Sequence, residues 1–480
     1  MKAKHVLYFV LGVILILAII MLVFPKDGIR INDQWVFYFP TFEEMFSSDE
    51  DNQVDTDSII NNQFNIDDID FNDSLANIDI EEIKKLVTPL EFPENNEFAL
   101  DDFFAKLNDI ETEGKVRIMH YGDSQIEGDR ISAFIRSKLQ AKFGGMGMGL
   151  CAPVPVYSQF SIQQSSSANW NRYTGFGYGT ANSKSNRFGP MIAFARYAPE
   201  TDSLWKKPSS KYSAWISFSK SDVGYSNTAQ YTNVSIYYGN SKTSVKITLK
   251  SNEIVLATDS LKAGQEFFVY TYKSENYIDN LTIEFEGYDS PDVYAISFED
   301  EAGIYVDNIA LRGSSGTVFT TTDGALLTEA FTHIGVDLFI LQFGGNSVPY
   351  ILDKKSAEQF ANHFYYQILF LKRIVPDACI IVIGPSDMAY KEKDYYITYP
   401  NLENIINALR NATHKAGGVY WDMYTAMGGK NSMRAWVNAN PQMAGPDFIH
   451  FTPYGTQVIS NMFYNAFILE YTEYCERNKK

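Results

Sequence analysis

Four groups of residues in this chain carry the chemistry of acyl transfer. The first is Gly122-Asp123-Ser124, where a hydroxyl follows a short apolar run, Val116 to Tyr121. Serine needs a base beside it to act as a nucleophile at neutral pH. Asp447 and His450 stand three residues apart near the C-terminus and could supply that base from one turn. An imidazole takes the hydroxyl proton and returns it to the leaving group, while a carboxylate fixes the ring tautomer. The carbonyl under attack develops an oxyanion, which needs donors already in place. The backbone N–H groups of Ser124 and Gly316 and the side-chain amide of Asn346 are the candidates, with Gly313 as the alternative to Gly316. Alone, Gly-Asp-Ser is weak evidence, because Asp and Ser before a helix are also ordinary caps.

Residues this far apart need a fold that gathers them. Val116 to Tyr121 reads as a buried strand, and Ile131, Phe134, Ile135 and Leu139 follow at helical spacing. Ser124 would then sit between a strand and a helix N-terminus, at the carboxyl edge of a sheet. Beyond Ile304 the pattern alternates: strand Tyr305 to Leu311, a helix around Ala325 to Ile334, and strand Asp337 to Phe343 ending at Gly344-Gly345-Asn346. A long helix with Phe360, Phe364 and Ile368 on one face precedes strand Cys379 to Ile383. Helix Leu402 to His414 and strand Val419 to Met423 follow, and a last helix comes after His450. Such alternation predicts an α/β fold, a parallel sheet covered by helices on both faces. Each candidate group lies just past a predicted strand or in the last loop, where open parallel sheets collect their ligands.

Between about residues 153 and 304 the texture changes to alternating runs: Tyr212 to Phe218, Val234 to Tyr238, Val245 to Leu249, Phe267 to Tyr272, Leu281 to Phe285 and Val293 to Phe298. These predict an inserted antiparallel β-sandwich of jelly-roll type. Trp170, Tyr173, Phe176 and Tyr178 cluster in a Gly/Ser/Asn-rich stretch, and either sugar stacking or core packing accounts for them. The glycine-rich run Gly144 to Gly149 lacks the Gly-Lys-Ser/Thr ending of a phosphate cradle and follows a helix, so it reads as a tight connection.

At the N-terminus, Lys2 and Lys4 precede an uncharged apolar run from Val6 to Phe24, enough for one bilayer crossing. No small-x-small cleavage site follows, so residues 1–25 read as an uncleaved anchor. The leading lysines favour a cytoplasmic N-terminus, against Lys26 and Arg30 behind the run. Residues 26–95 are polar and acidic, with Asp49-Glu50-Asp51, Asp67-Asp68, Asp70 and Asp73, and read as a largely disordered spacer. A formal net charge of -18 argues against a nucleic-acid partner. Cys151, Cys379 and Cys475 form neither a metal spacing nor a disulfide framework. No metal site and no cofactor is expected.

In this order, Gly122-Asp123-Ser124, Gly316, Gly344-x-Asn346 and Asp447-x-x-His450 resemble the four blocks of the SGNH (GDSL) hydrolase superfamily, over roughly residues 115–150 and 305–460. The extended start Gly122-Asp123-Ser124-Gln125-x-x-Gly128-Asp129, the β-rich insertion, and Met427-Gly428-Gly429 … Trp436 … Asp447-x-x-His450-Phe451-Thr452 resemble its peptidoglycan O-acetylesterase branch. The resemblance implies a three-layer α/β/α, flavodoxin-like SGNH domain from 96–152 and 305–480. The insert, 153–304, would be similar to a carbohydrate-binding module. It implies Ser124 as nucleophile, His450 as base then acid, Asp447 as its orienter, and Ser124, Gly316 and Asn346 as the oxyanion hole.

The implied activity is a serine esterase that removes O-acetyl groups from a cell-envelope glycan, foremost peptidoglycan, through an acetyl-serine. The enzyme would be single-pass in the inner (cytoplasmic) membrane and face the periplasm or exterior. An O-acetyltransferase working with a membrane acyl-transfer protein on an envelope polysaccharide uses the same residues. A catalytically idle glycan-binding scaffold is the non-enzymatic alternative. Two positions depart from the family pattern: Gln125 where His is common, and Ser347 where an acidic residue is frequent. Both leave the acyl substrate open.

Overall fold

A computed structural model describes residues 3–25, 29–32, 35–37, 39, 54–67, 80–177, 183, 185–201, 204–393 and 395–479. Residues 1–53 and 54–480 are separate units. In the first, helix Ala3–Val23 is long and apolar enough to cross a membrane. Strands Ile29–Asn32 and Trp35–Phe37 then pair antiparallel.

The second unit is built on a six-stranded sheet. Its order is Gly303–Ala310, Lys115–Gly122, Leu338–Gln342, Cys379–Ile383, Val419–Trp421 and Leu90–Glu91. The first five strands run parallel, and the last is antiparallel to its neighbour. These runs are apolar on both faces because both faces are covered. Phe339 and Leu341 join one core with helices Gly324–Ile334, Lys354–Ile374 and Leu402–Lys415, whereas Leu338 and Ile340 join the other with helices Arg130–Phe143 and Pro453–Arg477. The period-two alternation of a strand thus sorts one sequence into two cores.

Two further antiparallel sheets enclose a third core that includes Ile216, Phe218, Ile236, Leu249, Ile283 and Phe298. They contain the six alternating runs expected from the sequence, together with Ile254–Leu261, Ile162–Ser166, Asn171–Thr174 and Ala193–Arg196. The last three are short and irregular, with little alternation to read. Phe267 stacks on His333 of the catalytic layer, with centroids 5.8 Å apart. Trp170 packs edge-on to Tyr197 and Phe285, and Tyr173 stacks on Phe194, so both belong to cores. Tyr178 lies outside the described residues.

The boundary shifts at the C-terminal end of the expected spacer and at the N-terminal end of the expected insert. Leu90–Glu91 is a strand of the main sheet, and Ile83, Val87 and Leu90 are buried in its core, so this layer begins before residue 96. Residues 56–67 form a helix whose Ile59 and Ile60 pack on that core, which corrects a disordered reading there. The remaining acidic stretches, 41–53 and 68–79, lie outside the described residues. Gly149–Cys151 already pairs with strand Asp292–Glu299 of the sandwich, ahead of residue 153.

Candidate active site

Strand Lys115–Gly122 ends at Asp123, whose buried carboxylate accepts the N–H of Gln125 at 3.0 Å and so closes the turn that presents Ser124. The expected helix N-terminus beside the serine is replaced by a 3-10 turn, Ser124–Asp129, and the α-helix starts only at Arg130. Gly128 and Asp129 both take left-handed φ angles, +72° and +67°, which turn the chain into that helix. Below the turn, Asp129 is tied to the fully buried Arg136 and to the Ser161 hydroxyl.

The distant groups meet. Ser124 Oγ lies 2.8 Å from His450 Nε2, and His450 Nδ1 lies 2.7 Å from Asp447 Oδ2. The other Asp447 oxygen accepts the N–H groups of Ile449 and His450, each at 3.1 Å. Partial burial pushes the Asp447 carboxyl up, but these hydrogen bonds outweigh it and hold the group below its ordinary value. An ionised Asp447 is the state that orients His450 with its Nδ1–H toward the carboxylate and its Nε2 toward the serine.

Ser124 and His450 line a cavity of about 180 Å3 with Asp123, Asn346, Gln342, Ser386, Met388 and Met423. Pro349 and Tyr350 form its rim, and Tyr350 is 82% exposed. Asn346 stands in the 3-10 turn Gly345–Tyr350 that follows strand Leu338–Gln342. Its Nδ2 donates to Asp123 Oδ2 at 3.2 Å and to the Ser314 carbonyl at 3.1 Å, which fixes the amide at the cavity wall. Burial drives the Asp123 carboxyl up to about 6, although the bonds from Gln125 and Asn346 and the nearby His450 pull the other way. The Ser124 N–H opens a helical turn, where no intrahelical acceptor exists.

Gly316 differs from its expected place. It does not line the cavity; its N–H donates to Ser314 Oγ at 3.0 Å, and a Cβ there would lie 2.6 Å from the Phe343 ring. Its φ of +79° and this close approach explain the glycine structurally. Gly313 does not line the cavity either. The expected donor from this turn is therefore withdrawn.

Several residues outside the expected catalytic set hold the site together. Gln125 Nε2 donates to the Ile449 carbonyl at 2.6 Å, tying the serine turn to the histidine loop. Arg130 donates to the carbonyls of Ser124 at 2.7 Å and Glu127 at 2.9 Å. Ser347 Oγ bonds Ser315 Oγ at 2.9 Å, joining the turns that carry Asn346 and Gly316. His120 lies fully buried behind the site, against Gln342 and Ser132. Gln125 and Ser347 gave a signal, as departures from the family pattern.

No family model matches the chain, and no curated protein matches its sequence. Among solved structures, a peptidoglycan O-acetylesterase superposes on 80% of this chain and 99% of its own, at 19% identity and a TM-score of 0.60. A salicylyl-acyltransferase from a tetracycline biosynthetic pathway covers 52% of this chain and 80% of its own, at 9% identity and a TM-score of 0.24. A family two carbohydrate esterase from Clostridium thermocellum covers 55% and 94%, at 12% identity and 0.22. The last two superpositions are too partial to bear on the site. The chain thus shares its fold with that peptidoglycan O-acetylesterase: a parallel sheet between helices, joined to an antiparallel β-sandwich.

Proposed function

We propose, from an SGNH fold with a hydrogen-bonded Ser–His–Asp relay on its cavity, that this chain is a membrane-anchored serine esterase. Its substrate is an O-acetylated cell-envelope glycan, peptidoglycan foremost. The observation that carries the proposal is the Ser124–His450–Asp447 relay, with bonds of 2.8 and 2.7 Å, open to a cavity that also holds a polar amide.

The steps follow from the geometry. His450 Nε2 takes the Ser124 proton as Oγ attacks the acetyl carbonyl carbon. The negative charge that develops on the carbonyl oxygen is met by the Ser124 N–H and by the Asn346 amide, one of whose two N–H groups leaves Asp123 or Ser314 to reach it. His450 then gives its proton to the departing sugar oxygen, leaving acetyl-Ser124. Water, deprotonated by His450, attacks this ester, and the second tetrahedral intermediate collapses to acetate as His450 returns the proton to Ser124 Oγ.

The apolar helix Ala3–Val23 would hold the enzyme at the inner membrane with its catalytic part in the periplasm or exterior. The likeness in fold to a peptidoglycan O-acetylesterase supports the choice of glycan. The test is a burst experiment with an aryl acetate. Mass spectrometry of the quenched protein should find one acetyl group on the peptide bearing Ser124, and none in Ser124→Ala. An acetyl group elsewhere, or no burst and no turnover, would overturn the mechanism.

A further inference from the structure

A second, smaller cavity of about 70 Å3 begins three residues past the nucleophile. Glu127 and Gly128, from the serine turn itself, form part of its wall. Asn308 and Arg312 line it from the catalytic layer, and Tyr157, Arg172 and Phe176 from the sandwich side. The charges within it are unevenly satisfied. Arg312 donates to Glu127 at 3.1 Å and lies over the Tyr157 ring. Arg172 has no ion pair and no side-chain hydrogen bond among the described residues. Its guanidinium rests 5.6 Å from the centroid of the Phe176 ring, and its Nε is buried without an acceptor. Burial without a carboxylate partner pulls its pKa below the ordinary value.

A partly buried guanidinium without an anionic partner is costly, and a ligand that supplies one removes that cost. Asn308 adds to the imbalance. Its Oδ1 takes the Ser132 hydroxyl at 2.9 Å, which leaves the Nδ2 donors without an acceptor among the described residues. Arg172 and Arg312 against Glu127 leave the cavity one positive charge in excess. That balance suits a monoanion, and a guanidinium fork matches the two oxygens of a carboxylate.

We infer that this cavity is a carboxylate subsite, in which Arg172 holds a carboxylate borne by the glycan whose acetyl ester is presented to Ser124. The inference rests on the glycan-esterase proposal for the neighbouring site. Both cavities take part of their lining from the turn Ser124–Asp129, which sets the subsite beside the nucleophile: the glycan would place an ester at the hydroxyl and an acid group on the same or a neighbouring residue at the guanidinium. Such a subsite would discriminate acidic from neutral acetylated glycans by charge, away from the reacting atoms.

The test uses the full chain in detergent micelles and ligand-observed NMR with three probes: N-acetylmuramic acid, N-acetylglucosamine and free lactate. The two sugars differ by a lactyl carboxylate. The acid should bind at least fivefold more tightly than the neutral sugar, and Arg172→Met should abolish that difference. Lactate should bind more weakly than the sugar acid. The melting temperature of Arg172→Met should equal or exceed the parent's, because it removes an unpaired buried charge. If that variant does not fold, Arg172→Lys decides, since it keeps the charge without the fork and should lose most of the preference. Equal binding of the two sugars, a preference that survives in both variants, or lactate binding as tightly as the sugar acid would overturn the subsite. Binding as expected without any Ser124-dependent acetate release would instead overturn the esterase and leave the subsite standing.

Discussion

Tyr396 and Phe448 stack face to face, with ring centroids 3.6 Å apart and planes 8° from parallel. Phe448 lies between Asp447 and His450 and holds a φ of +58°, a left-handed conformation that a bulky side chain rarely adopts. Its carbonyl also accepts the N–H of Ala389 at 3.1 Å. The short antiparallel pair Ala389–Glu392 and Tyr395–Thr398 thus clamps the turn that aims His450 at Ser124. Tyr396→Ala should lower kcat on an aryl acetate by about tenfold with little change in KM, because misplacing a catalytic group by less than 1 Å is already expensive. A raised KM at constant kcat would show that the stack shapes the substrate site instead.

Gln125 performs a related task from the serine side. Gln125→Met keeps the length of the side chain but leaves the Ile449 carbonyl without its donor. The expected loss is about fivefold in kcat, in line with ~1 kcal/mol for one such hydrogen bond. Gln125→His restores a donor at this position and should recover part of the loss. Equal activity of all three proteins would remove Gln125 from the positioning set.

The oxyanion donors separate by substitution. Asn346→Ala should cost about 10²–10³ in kcat, the usual loss for one preset donor. Gly316→Ala should act through folding, since its Cβ meets Phe343 at 2.6 Å and its φ is left-handed. Its melting temperature should fall, while the folded fraction retains a kcat within a few-fold of the parent. A kcat loss as large as that of Asn346→Ala, without a stability change, would return Gly316 to the hole.

Much of this was legible in the chain. The parallel strands are continuous apolar runs bounded by glycine or polar turns, and a strand's period of two is easy to see. The residues with intrinsic chemistry, Ser124, Asp447 and His450, stand at strand ends where the fold must gather them. The supporting contacts were not legible, because they are made by backbone carbonyls and by pairs far apart in sequence. Arg130 bonds carbonyls that any residue would offer. The Tyr396–Phe448 stack joins an unremarked hairpin to a loop 52 positions away. Gly316 misled for the same reason: a glycine in a family-like turn reads alike whether its N–H faces a substrate or a neighbouring hydroxyl.

Acid should expose His120. Burial lowers its pKa from 6.5 to about 4, against a weaker upward pull from Gln342. The unfolded chain takes up a proton near pH 6.5 that the folded chain refuses until about 4. The folded state therefore keeps this contribution above 6.5 and loses it as pH falls toward 4. Asp123, Asp292 and Asp387, each raised to about 6 by burial, act oppositely: they weaken the fold as pH rises from 3.8 through 6. Comparison with His120→Gln isolates the imidazole. The parent's advantage in unfolding free energy should shrink between pH 6.5 and 4, by at most about 3 kcal/mol. An advantage constant with pH would contradict a neutral buried His120.

Tyr350 offers a flat, exposed face at the rim of the cavity. Tyr350→Ala should raise KM for O-acetylated glycan about fivefold, the effect of losing ~1 kcal/mol of aromatic contact. The loss on a small aryl acetate should be clearly smaller. Equal losses on both substrates would assign Tyr350 to the reacting end of the cavity.

The most direct test of the central claim is acetate release from O-acetylated peptidoglycan by the full chain, run beside Ser124→Ala and with a sugar oligomer present as acceptor. The account predicts acetate that depends on Ser124 and an acceptor of unchanged mass. An acceptor that gains acetyl groups faster than acetate appears would make the protein a transferase, and no Ser124-dependent product of either kind would contradict the enzymatic account.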